Sequence, residues 1–226
     1  MDANYELVIG NKNYSSWSLR PWLVLKMAGI PFGETQVFLK QPDTAAEIAR
    51  HSPAGKVPVL KHGNLTVWDS LAIIEYLADA HPDKDIWPED RNTRAIARAV
   101  SAEMHSGFSA LRREFAMDFV NKRSFPAASE AVRRDITRIV ALWIECRRCF
   151  GSDGDRGFLF GRRFSAADAM FAPVVSRFVS YAIDLPAFGD DGVAARYCDM
   201  MMDLPAMREW GEGARAEWND GVRIEI

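Results

Sequence analysis

The stretch KVPVLKHGNLTVWDS, residues 56–70, and a C-x-x-C pair, Cys146 and Cys149, are the two groupings whose chemistry can be stated first. In 56–70, two apolar, β-branched runs, 57–60 and 65–68, flank a turn at His62, Gly63 and Asn64, where glycine supplies the positive φ of a hairpin turn. Pro58 stands at the mouth of the first run, a place that tolerates a missing ladder donor. After Trp68, Asp69 or Ser70 caps a helix whose apolar positions are Leu71, Ile74, Leu77 and Ala78. A helix N-terminus with free N–H groups and a carboxylate beside it can hold a small zwitterion. The same residues also read as a plain capped helix after a hairpin. The cysteine pair needs a helix N-terminus to stabilise a thiolate. It lies inside a long helical pattern instead, so its spacing is read as coincidence. Three cysteines and four scattered histidines (His51, His62, His81, His105) give no zinc-ligand spacing, so no metal is expected.

Composition narrows the class. A chain of 226 residues, 48% hydrophobic and 26% charged, is ordinary for a globular protein of one or two domains. A net charge of −3 argues against a nucleic-acid footprint. The first residues, MDANYELVIG, lack a basic and apolar leader, and no run approaches the roughly 20 apolar residues that span a bilayer. An odd number of cysteines fits a reducing compartment. The expectation is a cytoplasmic protein with neither membrane nor nucleic-acid partner.

These residues need elements to position them. A strand is expected at 5–9, then a polar turn leading into SSWSLRPW. A helix follows, with Pro21 in its first turn and Gly29 as C-cap before Pro31. A second strand is expected at 35–39 and a short helix at 44–50; the hairpin and its helix to residue 80 complete the order β-α-β-α-β-β-α. The proline-containing, charged segment 83–92 reads as a linker between a domain at 1–82 and a second at 93–226. Helical periodicity dominates the second: 93–119, carrying Ile96, Val100, Met104, Phe108, Leu111 and Phe115, and then 127–150. A glycine and aspartate loop at 151–157 comes before Ser165 and Asp168, which form an S-x-x-D capping box ahead of an apolar helix, 166–179. Helices at 192–202 and 205–216 finish an all-α bundle.

Four motifs recur in this order: S-S-W-S after the first strand, G-K-V-P-V-L, W-D-S, and F-S-A-A-D. Together they resemble the cytosolic glutathione S-transferase family across essentially the whole chain. The resemblance implies a thioredoxin-like β-α-β-α-β-β-α domain followed by an all-helical domain, glutathione as co-substrate, and a homodimer. It implies a cis bond before Pro58, with the Val57 backbone turned out to pair with the cysteinyl residue of glutathione. Asp69 would then take the γ-glutamyl ammonium, and Ser70 with the helix N-terminus its carboxylate. Lys56 either reaches the glycyl carboxylate or stays solvated.

The nucleophile would be the glutathione thiolate, which a hydroxyl at a helix N-terminus stabilises. SSWS is similar to the S-S-C-S of the zeta class, and the carry-over maps the catalytic serine to Ser15, with Ser16 as second candidate. Tyr14 and Tyr5 are weighed because other classes use a tyrosine; Tyr5 is read as packing in or beside the strand. Trp17 departs from the zeta cysteine, so zeta-type isomerisation of a maleyl diacid does not follow automatically, and serine cannot form the mixed disulfide of a thiol reductase. Met104, His105 and Phe108 lie on the helix that faces the cleft in this family, as candidate contacts to a small hydrophobic electrophile; each also reads as packing. Conjugation is the first expectation. Glutathione-dependent isomerisation, peroxide reduction, or a non-catalytic binding protein of the same fold are the alternatives.

Overall fold

Strand β1 (Tyr5–Ile9) lies inside a four-stranded sheet of order β2-β1-β3-β4. The computed structural model describes residues 4–125, 127–152, 154 and 157–225; of the expected loop at 151–157, Asp153, Asp155 and Arg156 lie outside the described residues. β2 (Phe32–Gln36) runs parallel to β1, while β3 (Val59–His62) is antiparallel to β1 and to β4 (Leu65–Trp68). The second strand starts three residues earlier than its β-branched run suggests, because pairing of Tyr5 with Phe32 sets its register. The Val37 N–H still extends the ladder to the Ile9 carbonyl at 2.8 Å. Alternation along β1 divides the core. Leu7 and Ile9 face helices α1 (Ser16–Met27) and α3 (Ser70–Ala80), while Val8 packs with Val37, Val59 and Ile48 of α2 (Thr44–Ala49).

α1 buries every residue from Ser18 to Leu25, since it has the sheet on one side and the helical domain on the other. It begins at Ser16, so Pro21 falls in the second turn, inside the helix rather than in its first turn. The missing proline N–H leaves the Trp17 carbonyl without its intrahelical partner.

The helical domain comprises α4 (Arg91–Ser106), α5 (Ser109–Glu114), α6 (Glu130–Phe150), α7 (Ala166–Ser180), α8 (Val193–Asp203) and α9 (Pro205–Asn219). The single helix expected at 93–119 is two. Gly107 accepts the close approach that ends α4, where a Cβ would stand 2.6 Å from the Glu103 carbonyl oxygen, and Phe108 takes φ 53°. The buried stripe of α4 is Ala97, Val100, Ser101 and Met104, which leaves Ile96 exposed, contrary to its place in the expected apolar face.

α7 is buried almost throughout and packs against α1, α4 and α8. Its capping box is closed as expected: Asp168 Oδ2 accepts from the Ser165 N–H at 2.9 Å and its hydroxyl at 3.0 Å. Oδ1 accepts from the Leu159 N–H and the Tyr197 hydroxyl, so one carboxylate ties three segments together. Burial pushes the Cys146 thiol up to about 12, which leaves that thiol protonated and unsuited to thiolate chemistry. Among the described residues no helix is long and apolar enough to cross a membrane, and no group of His, Cys, Asp or Glu could hold a metal ion.

Candidate active site

The loop from Gly10 to Ser15 leaves β1 and enters α1, and distant parts of the chain fix its backbone. Gly10 passes so close to Leu39 and Ser15 that a Cβ would sit 2.8 Å from Leu39 Cδ1. The Tyr14 and Ser15 N–H groups donate to the Asn11 carbonyl at 3.2 and 2.7 Å. Asn13 accepts from the Val120 N–H through Oδ1 and donates to Asp118 through Nδ2. From α9, the buried Glu217 carboxylate accepts the Lys12 N–H at 2.7 Å and the Asn13 N–H at 3.3 Å, and Trp210 donates to the Lys12 carbonyl. The Ile224 N–H reaches the Tyr14 hydroxyl at 3.2 Å.

The loop delivers Ser15 to the N-cap of α1, 6% exposed, with its hydroxyl not used in capping. Ser15 Oγ lies 2.7 Å from Ser18 Oγ, which accepts from the Gly10 N–H at 3.1 Å. When the Ser18 hydroxyl donates to Ser15 Oγ, the Ser15 proton is left for an acceptor in the cleft. An anion there meets both a hydroxyl donor and the positive end of α1. Ser16, the first residue of α1, lines the same cleft. Tyr5 does not: its hydroxyl contacts His81 Nε2 at 3.0 Å, so it packs beside the strand as expected.

The opposite lip belongs to 55–58 and 68–70, and together the two lips enclose about 680 Å³. The Val57–Pro58 bond is cis, as the resemblance implied. The hairpin ladder starts only at Val59 with Trp68, leaving the Val57 backbone outside it. Lys56 is exposed at the rim. Asp69 takes φ 75° and ψ 132°, an uncommon conformation for a residue with a Cβ and of a kind that clusters at ligand sites. Its Oδ1 accepts from the Leu71 and Ala72 N–H groups at 2.9 and 3.3 Å, capping α3. Ser70 is 1% exposed and its hydroxyl has no partner.

Of the three residues expected from the helical domain, only His105 reaches this site, with Nε2 3.2 Å from Asp69 Oδ2. Met104 and Phe108 are corrections: both are buried in the helical core and do not line the cleft, Met104 on the buried stripe of α4 and Phe108 at the N-cap of α5, past the break. Burial holds the His105 pKa below its ordinary value despite the Asp69 carboxylate. Trp17 forms part of the cleft wall, with the Arg20 guanidinium 4.2 Å and that of Arg112 5.3 Å from its ring, and the His105 ring edge-on at 5.1 Å.

Sequence reasoning missed Ser18, Arg20 and Glu217. A charged residue inside the apolar run LRPWLVL was a usable signal for Arg20. Nothing local marks Glu217, whose partners lie about two hundred residues away in the chain. Glu217→Gln places an NH₂ or a single oxygen where one carboxylate now serves two backbone donors. It is expected to lower kcat about tenfold, a barrier change of about 1.4 kcal/mol, while KM for glutathione, set by the other lip, stays unchanged. Glu209→Gln, on the same helix as Glu217, which removes the exposed ion pair of Glu209 with Lys26 of α1, should change neither value in steady-state assays.

The family profile of the glutathione S-transferase N-terminal domain matches residues 14–80, and that of the C-terminal domain matches 94–210. The chain belongs to the glutathione S-transferase family and is a glutathione-dependent enzyme. It is 27% identical over 205 residues to a probable maleylacetoacetate isomerase of Caenorhabditis elegans, covering 90% of this chain and 92% of that one. It is equally similar, at 27% over 209 residues, to glutathione S-transferase Z2 of Arabidopsis thaliana, covering 87% and 88%. A glutathione transferase homologue from Burkholderia gl BGR1, solved with bound glutathione, superposes with a TM-score of 0.68 at 27% identity over 94% of this chain and 99% of that one.

Proposed function

We propose that the Ser15 hydroxyl holds the glutathione sulfur as thiolate for attack on a small electrophile. The single observation behind this is the pairing of a Ser15 hydroxyl that caps no helix N–H, at the N-cap of α1, with the Val57, Asp69 and Ser70 lip across one cleft. Glutathione's cysteinyl backbone pairs with Val57 beside Pro58, its ammonium meets Asp69, its γ-glutamyl carboxylate meets Ser70 and the N-terminus of α3, and Lys56 faces the glycyl carboxylate. The thiol proton leaves to solvent. The sulfur then bonds to the electrophilic carbon, and the displaced electron pair leaves with a leaving group or on the activated π system. Ser16 is the second hydroxyl in reach of the sulfur.

In this reading residues 1–82 bind glutathione, 83–92 link, and 93–226 supply the second wall. The chain works as a cytoplasmic homodimer in detoxification of electrophiles, a pairing supported by the exposed apolar Leu65 and Ile96. Asp69→Ala is expected to weaken glutathione binding roughly tenfold or more, the value of a charge-assisted hydrogen bond; calorimetric titration reads it directly, and unchanged affinity removes Asp69 from the binding set. A second reading, glutathione-dependent isomerisation of a diacid, is supported by the relative named maleylacetoacetate isomerase. Parallel assays with a maleyl diacid, an organic hydroperoxide and an aryl halide separate it, and peroxide reduction, from conjugation.

A further inference from the structure

Behind Trp17 the fold buries more positive charge than it neutralises. Arg20, on α1, is 1% exposed, and its Nε and Nη1 have no hydrogen-bond acceptor. Arg112, on α5, has its Nε buried and equally unmatched, as is Nδ1 of His105 on α4. The nearby Arg177 gives its protons to the Phe115 and Pro173 carbonyls at 2.8 Å and adds only charge. Two carboxylates face this group, and both are engaged: Asp69 by the α3 N-terminus and His105, Asp135 by the Leu111 N–H at 3.0 Å. Burial, with the charges of Arg177 and Arg112, brings the Arg20 pKa down to about 9, so the guanidinium remains largely charged at neutral pH.

A buried guanidinium without an acceptor is costly to the fold, and so many unmatched donors around one point need an explanation. All the unmatched groups are donors or can donate, and the surplus charge is positive. A planar anion with two oxygens matches the fork of a guanidinium. We propose that Arg20, with Arg112 and His105, forms a carboxylate-binding subsite on the helical-domain side of Asp69, opening to the cleft past the half-buried Trp17 ring. The carboxylate is that of the second substrate, since Ser70 and the α3 N-terminus already take the one at the γ-glutamyl end of glutathione. The proposal rests on the reading that Asp69 and Ser70 hold the amino-acid end of glutathione.

Arg20→Met keeps the volume and removes the charge. A matched pair of electrophiles, 4-chloro-3-nitrobenzoate and the neutral 4-chloro-3-nitrobenzamide, reports on it. The wild type is expected to favour the carboxylate member of the pair about tenfold, the scale of one charge-assisted hydrogen bond, and Arg20→Met should reduce that ratio to under about twofold. The melting temperature of Arg20→Met should hold or rise, since a merely structural arginine would lower it. If Arg20→Met does not fold, Arg112→Met, at a half-buried position, decides by the same ratio. An unchanged ratio in a folded variant overturns the subsite, and leaves the glutathione reading standing so long as Asp69→Ala loses glutathione. Normal glutathione binding by Asp69→Ala sinks that reading instead.

Discussion

Ser15→Ala is expected to lower the conjugation rate on the order of a hundredfold while leaving glutathione affinity within a few-fold of wild type. The size follows from removing one preorganised donor to developing or resident negative charge, which typically costs two to three powers of ten. The split between rate and affinity follows from geometry. Ser15 stands on the α1 lip, whereas Val57, Asp69 and Ser70 stand on the other and are untouched. Ser16 adjoins the site, and Ser18 already holds Ser15 Oγ at 2.7 Å, so a water bound by either is the route for residual activity. Steady-state rates with an aryl halide, together with calorimetric glutathione titration, check both halves. A variant that lost affinity and kept its rate at saturation would place Ser15 in binding.

Asp168→Ala carries the largest expected effect on stability. Four donors, the Leu159 and Ser165 N–H groups and the Ser165 and Tyr197 hydroxyls, converge on its carboxylate, which is fully buried. Truncation leaves the two backbone donors without an acceptor and opens a cavity beneath α7. The expected cost is about 3–5 kcal/mol, a fall in melting temperature of roughly 10 °C for a chain of this size. The cost should also depend on pH. Burial outweighs the four donors and raises the Asp168 pKa from 3.8 to about 6. Between those values the folded state binds the proton that the unfolded chain has lost, so this group's contribution is full below pH 3.8 and is lost as pH rises through about 6. The deficit of Asp168→Ala should therefore widen as pH falls from 7 to 4, by about 3 kcal/mol at most. Denaturant titrations across that range measure it, and a deficit independent of pH contradicts the shifted carboxyl.

What could be read in the chain, and what could not, divides by the range of the interactions. The hairpin turn at Gly63, the Asp69 cap and the Ser165–Asp168 box are each decided within four residues, and each appears where the sequence puts it. The register of β2 depends on a partner strand and was misplaced by three residues. The break between α4 and α5 was hidden because Ile96, Val100, Met104 and Phe108 keep a helical spacing straight through it. The resemblance placed the whole of that helix against the cleft and so took Met104 and Phe108 there, whereas Met104 lies on the buried stripe of α4 and Phe108 past the break. In the site itself, Ser15, Val57, Asp69 and Ser70 carry motif signals, whereas the clamp by Glu217 is a contact between the two ends of the chain. Arg20 showed its charge in the sequence, but its lack of an acceptor appears only once α1 is enclosed.

The central claim, that Ser15 keeps the bound sulfur ionised, is tested most directly by titrating the ultraviolet thiolate absorbance of enzyme-bound glutathione in wild type and in Ser15→Ala. The wild-type complex should ionise well below the value of about 8.5 for a free thiol, and Ser15→Ala should return the midpoint towards it. Identical midpoints in the two proteins, with glutathione bound in both, would contradict the account.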